Sequence, residues 1–280
     1  MIFFILLKGK GGYMDTKTVL TIIGSFLAAS TAQLISHILT LRREKKNYKK
    51  ACYQNLYSPI IFKLTDYIKS ESYYDDFYEL NTTYQKPSDI FHEVMQHIEK
   101  NLVYTSVDII NIYQVWKRDY SHPSSKDELP SNVKLENQMD LNISFANIFF
   151  AQFLKINKSL KFKHKIVNEE LRAPYFFTHF FLLIKECTRP YSVTFEEIFS
   201  IYDLIEAILL PNNNYTERII SIRNNLDKVQ STNLYKNDDR VHEAYLSAYE
   251  LLYEIVNEMA IISEERATDF KDFLDSQIQK

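Results

Sequence analysis

After Gly24 the chain contains no glycine, and its 280 residues hold only four in all. GxGxxG and Walker-type loops need glycines to turn tightly and to let backbone N–H groups reach a phosphate, so nucleotide sites of both kinds are excluded downstream of that residue. Hairpin turns that require positive φ would have to use Asn or Asp, which weighs against a sheet-rich fold. Cysteine is scarcer still. Cys52 and Cys187 stand 135 positions apart with no CxxC arrangement, leaving neither a disulfide framework nor a zinc pattern, and a reducing compartment fits. His92 and His97 are five apart, which on a helix turns them about 140° away from each other rather than onto one ion. No metal site and no cofactor is expected.

Charge is unevenly placed. Residues 1–50 carry nine Lys or Arg against two acids, which leaves 24 basic and 34 acidic residues in the other 230, a formal charge of −10. An acidic body is a poor general binder of phosphates, so nucleic acid is an unlikely partner. The heavy use of Tyr, Asn, Lys, Ile and Phe reflects AT-rich codons and points to a low-GC bacterium or one of its phages. Three of the four glycines fall in "KGKGGYM"; read as codons, this stretch matches a ribosome-binding sequence ahead of Met14. Translation is therefore expected to begin at Met14, with residues 1–13 untranslated.

What the sequence does contain is one long uncharged run. Val19 to Leu41, "VLTIIGSFLAASTAQLISHILTL", is 23 residues without a charge, enough at 1.5 Å per residue to cross a hydrocarbon core of roughly 30 Å. Arg42, Arg43, Lys45, Lys46, Lys49 and Lys50 follow at once with Glu44 as the lone acid, a flank suited to anionic headgroups that the positive-inside rule keeps in the cytoplasm. The expected topology is a short outer tail (1–18), a transmembrane helix (19–41), a basic juxtamembrane helix (42–57) and a cytoplasmic body (58–280). A buried helix with a solvated basic end is the alternative. A cleaved signal peptide fits less well, because its basic residues would precede the apolar run. Gly24, Ala28, Ala32 and Ser36 recur every fourth position, so one face of the span lets a second backbone come close, and a homo-oligomer is expected. Gln33 and His37 read as interfacial or helix-to-helix polar contacts.

The body reads as all-α, a multi-helix bundle. Helices are expected at 59–71, 88–104, 106–119, 132–161, 164–186, 194–210, 215–231 and 239–276, with the first continuous over 18–57. Ser58-Pro59 and Ala173-Pro174 place proline at first helical positions, and Thr194 with Glu197 forms a capping box. "SESYYDDFYELNTTYQKPS" and "SHPSSKDELPS" lack periodicity and read as loops, the second as a lobe boundary at 121–131. Tyr245, Ala248, Leu252, Ile255, Met259 and Ile262 form an a/d seam, widened by Leu251, Val256 and Ile261 toward a bundle helix rather than a free coiled coil. Its many glutamates read as a solvated face. "PYFFTHFFLLI" (174–184) reads as core helix. Its alternative is a membrane-touching patch beside Lys155, Lys158, Lys161, Lys163 and Lys165.

Catalytic patterns are thin. Adjacent Glu169 and Glu170 do not face one another on a helix, and no GxSxG or Cys/His signature stands out. "RDYSH" (Arg118, Asp119, His122) and "RNNLDK" (Arg223, Asn224, Lys228) are similar to the motif of the all-helical HEPN ribonucleases. In that family an Arg and a polar residue are followed, about a turn or more later, by a His, and the Arg and His act on the RNA 2′-hydroxyl and scissile phosphate. The first stretch is one residue short of the family's spacing and the second has Lys228 where the His should stand. The resemblance covers about six residues, and Arg118 and His122 are the only catalytic candidates it supplies. The function expected is that of a membrane-anchored interaction protein: a sensor, regulator or defence-type effector with an unknown protein partner. The alternatives are a tethered helical hydrolase or ribonuclease, and a membrane-active effector that oligomerises through its span.

Overall fold

Every structured element but an isolated bridge at Thr188 is helical among the residues that this computed structural model describes, namely 15–78, 85–121, 131–162, 165–188, 195–209, 214–231 and 239–277. The chain divides into two units, Met1–Lys50 and Ala51–Lys280. Helix α1 runs Thr16–Cys52, and its side chains up to Tyr48 are exposed apart from Val19. The tail before Asp15 lies outside the described residues, as do His122, Lys163, Thr194 and most of the expected lobe boundary.

The second unit opens with a π-helical turn at Tyr53–Tyr57. Its cause is Pro59, which has no N–H to offer the Asn55 carbonyl one turn back. That carbonyl pairs instead with His97 Nε2 at 2.9 Å, while Ser58 N reaches back five residues to Tyr53 O at 2.8 Å. Pro59 thus sits two residues ahead of α2 (Ile61–Tyr78) rather than at its first position. Helix α2 also continues past residue 71 into the expected loop. Ser70 and Ser72 bond back to the carbonyls of Tyr67 and Ile68 and so behave as helix residues rather than turn formers.

Helix α3 (Pro87–Lys100), a 3₁₀ turn (Leu102–Tyr104), α4 (Val107–Ser121) and α5 (Ser131–Leu160) follow. Helix α5 closes on Lys161, whose φ of 60° is the left-handed conformation usually given to glycine. In a body without glycine a lysine takes the place. The 3.1 Å bond from Lys161 N to Lys158 O and the 3.2 Å bond from Phe162 N to Asn157 O complete the cap.

Helix α6 (Lys165–Cys187) is the centre of the unit and packs against α2, α5, α8, α9 and α10. Pro174 lies inside α6, not at its start. Phe176, Phe177, Phe180 and Phe181 are all essentially sealed from solvent, as are Phe145, Phe149, Phe150 and Phe153 on α5. "PYFFTHFFLLI" is therefore core.

The helix expected at 194–210 is two, α7 (Phe195–Phe199) and α8 (Tyr202–Leu209), because Arg266 takes hold of the break. Its guanidinium donates to both Asp203 carboxylate oxygens, at 2.6 and 2.7 Å, and to the Ser200 carbonyl. After α9 (Tyr215–Ser231), the last expected helix is also divided, into α10 (Asp239–Ala260) and α11 (Glu264–Gln277). The broad apolar face of α10 is buried through Met259. Ile261 is 80% exposed, so the seam ends where the chain turns ahead of the acidic first turn, Glu264 and Glu265. Helix α10 is a bundle helix.

Candidate functional site

In the first unit the observations concern α1 alone. Gly24, Ala28, Ala32 and Ser36 are exposed on one face, and a Cβ added at Gly24 would meet nothing within 4 Å. Ala32, Ile35, Ser36, Leu39, Thr40 and Arg43 line a groove along the helix. Three of the polar residues in this segment and its flank are already satisfied: the Thr21, Thr31 and Thr40 hydroxyls donate to the carbonyls four residues back at 2.8, 2.8 and 2.9 Å. A threonine paired in this way takes no unmade hydrogen bond into an apolar medium. The basic residues Arg42, Arg43, Lys45, Lys46 and Lys50 are exposed, with Lys49 half-covered.

In the second unit the sequence motifs part company. Arg118 is exposed near the end of α4. Arg223 instead meets a histidine and a carboxylate, both from α6 rather than from its own motif. Its Nε and Nη2 donate to Glu186 Oε1 at 3.0 and 2.7 Å, and its Nη1 donates to His179 Nδ1 at 2.9 Å. His179 Nδ1 is therefore the acceptor, which puts the imidazole proton on Nε2. The Tyr175 ring stands edge-on to the imidazole at 4.8 Å. Asn224 and Lys228, the rest of the α9 motif, line an open depression with Ser221, Asn225 and Ser247.

Burial and the neighbouring guanidinium hold the His179 imidazolium down at a pKa of about 3. Burial raises the Glu186 carboxyl, with Arg223 pulling against it. These shifts decide the chemistry. A base whose conjugate acid has a pKa near 3 is too weak to take a proton from a hydroxyl near neutrality, and the fork of Arg223 is already occupied. The cluster staples α9 to α6. His92 and His97 likewise go separate ways, His92 to Gln96 at 2.8 Å and against the Trp116 ring, His97 to Asn55.

A pH dependence follows. The folded His179 pKa lies below its ordinary 6.5, so the unfolded chain binds the proton more tightly. The stabilisation is complete above pH 6.5 and is lost as pH falls toward 3. Glu186, whose folded pKa is raised, acts in the opposite sense and gains stability as pH falls. Between pH 7 and 5 the His179 contribution is expected to fall by about 2 kcal/mol. Urea titrations of the wild-type chain and His179→Gln in detergent at those two pH values should show the gap between them closing by that amount. An unchanged gap would mean that His179 is already open to solvent.

No family model, curated protein or solved structure matches this chain.

Proposed function

We propose that the protein is a single-pass membrane protein whose helical body lies in the cytoplasm and works by protein interaction, with copies associating through the small-residue face of α1. The observation that carries this reading is that α1 is long and apolar enough to cross a membrane while none of its apolar window is buried. A core helix of a soluble fold would be covered. The exposed basic residues directly after it support a cytoplasmic body. The chemistry of the body supports interaction over catalysis, because its described Arg, His and carboxylate cluster is neutralised internally.

Orientation is testable with added thiols, since Cys52 and Cys187 are both buried. In intact cells a membrane-impermeant maleimide should label Asp15→Cys and spare Lys45→Cys; the reverse pattern refutes a cytoplasmic body. Association is expected to weaken in Gly24→Leu, because a branched side chain on the small-residue face holds a second backbone off. Energy transfer between labelled copies at several protein-to-lipid ratios would measure it.

A further inference from the structure

We propose that the end of the body where its first residues lie is an amphipathic docking face for the anionic bilayer surface, with Val103 and Val107 entering the interface and Lys155, Lys158 and Lys161 on the headgroups. This rests on the membrane-anchored reading above.

The contacts that assemble this end all lie within the second unit. Tyr53, near its start, packs on Phe153 and Phe162 with ring centroids 5.7 and 5.0 Å apart, which brings the final turns of α5 beside the point where the chain enters. His97 Nε2 meets Asn55 O at 2.9 Å, and Gln152, hydrogen-bonded to the Tyr57 hydroxyl at 2.7 Å, donates to Ser106 Oγ at 2.6 Å. These three bonds draw the turn between α3 and α4 to the same end.

That turn displays apolar residues where a soluble surface would place polar ones. Val103 is 73% exposed and Val107 is 70% exposed. On α5, Lys155, Lys158 and Lys161 are exposed at intervals of three along one side and pair with no carboxylate among the described residues. Lys100 adds to them from the end of α3. Glu99 is held by Lys117 at 2.5 Å, and Asp108 is exposed beside Val107. Exposed apolar tips and exposed lysines at the same end of the body are the chemistry of peripheral binding to anionic lipid.

Tether length and charge select lipid over another occupant. Residues 42–52 are the only chain between the apolar segment and Tyr53. Eleven residues tether this end to the apolar segment, and lysines there feel anionic headgroups over about a Debye length, about 8 Å. Residues 51–280 carry a formal charge of −10, so anionic lipid favours the approach of a lysine-bearing end over that of the acidic remainder.

The test uses the full-length chain carrying Val103→Cys labelled with an environment-sensitive fluorophore, reconstituted in phosphatidylcholine vesicles with or without phosphatidylserine. Emission should rise, and nitroxide lipids should quench it, in the phosphatidylserine vesicles. Lys155→Glu/Lys158→Glu/Lys161→Glu should cut the docked fraction about tenfold. The altered lysines are exposed, so an unchanged melting temperature is expected. Equal emission in both vesicle types, or emission that follows protein density instead of lipid charge as it would if a second copy covered the valines, overturns the proposal. Alkaline extraction and flotation of the same samples separate this from failure of the anchor. A chain that does not float refutes the membrane reading itself, whereas one that floats without the lipid-dependent signal refutes only the docking face.

Discussion

Arg223→Leu is expected to cost the body about 3 kcal/mol, the low end of the range for buried ion pairs, because it removes one partner from a part-buried pair and leaves the other charge with nothing to replace it. The Arg223 and Glu186 side chains are 15% and 21% exposed, so water cannot solvate the orphaned carboxylate as it would on a surface. The neighbouring Asp227 already raises the Glu186 pKa, and without the guanidinium that repulsion is unopposed. His179 Nδ1 also loses its donor. With native stabilities of about 5–15 kcal/mol, such a loss unfolds a large fraction of a marginal domain. Arg223→Leu/Glu186→Leu should recover most of it, since replacing both charges by apolar groups is often neutral or better. Pulse proteolysis of the four chains of this double-mutant cycle, in nanodiscs across a urea series, gives the coupling. A single variant as stable as the wild type would show that the cluster is solvated and open, the condition under which a substrate-binding role for Arg223 becomes tenable again.

The cluster also shows what a linear reading can and cannot reach. Arg223 heads a ribonuclease-like stretch in the sequence, but its partners come from α6, 37 and 44 positions back. A local signal for them existed: His179 and Glu186 are seven apart and so share a face of α6. Their meeting with Arg223 depends on how α9 packs on α6, which periodicity along either helix does not contain. The helix interruptions divide in the same way. The π turn has a local cause in Pro59, and the start of α11 has one in Ser263, Glu264 and Glu265; both were legible and were masked by apolar periodicity running across them. The break between α7 and α8 is held by Arg266, 63 residues beyond Asp203, and has no local signature as strong. The uncharged length of α1 and the long helices α5 and α6 were legible because each depends on residues within one or two turns. The exposed valines of the α3–α4 turn were not, because exposure is decided by what other segments leave uncovered.

Phe177→Ala is expected to cost about 3–5 kcal/mol, and it is the substitution that separates a core reading of "PYFFTHFFLLI" from a lipid-facing one. Phe177 is fully buried, with ring centroids 5.0 Å from Phe199 and 5.1 Å from Tyr202 and a third ring, Phe181, at 6.5 Å. Truncation leaves a cavity bordered by three large side chains from α6, α7 and α8, and rings seated against helices on several sides cannot collapse into it without moving those helices. The loss is therefore expected at the upper part of the range for aromatic truncations, with the site staying dry because its walls are apolar. Phe62→Ala is the matched control: Phe62 is 47% exposed on α2, and its loss should stay within about 0.5 kcal/mol. The two readings predict opposite outcomes for Phe177→Ala. Were α6 to present its phenylalanines to lipid, Phe177→Ala would leave unfolding in nanodiscs nearly unchanged and would instead weaken retention on the bilayer. Were α6 the centre of the bundle, unfolding would shift strongly and retention, which the proposed anchor assigns to α1, would not change. Measuring urea midpoints and flotation on the same preparations gives both readouts, so a loss of stability cannot be mistaken for a loss of membrane contact.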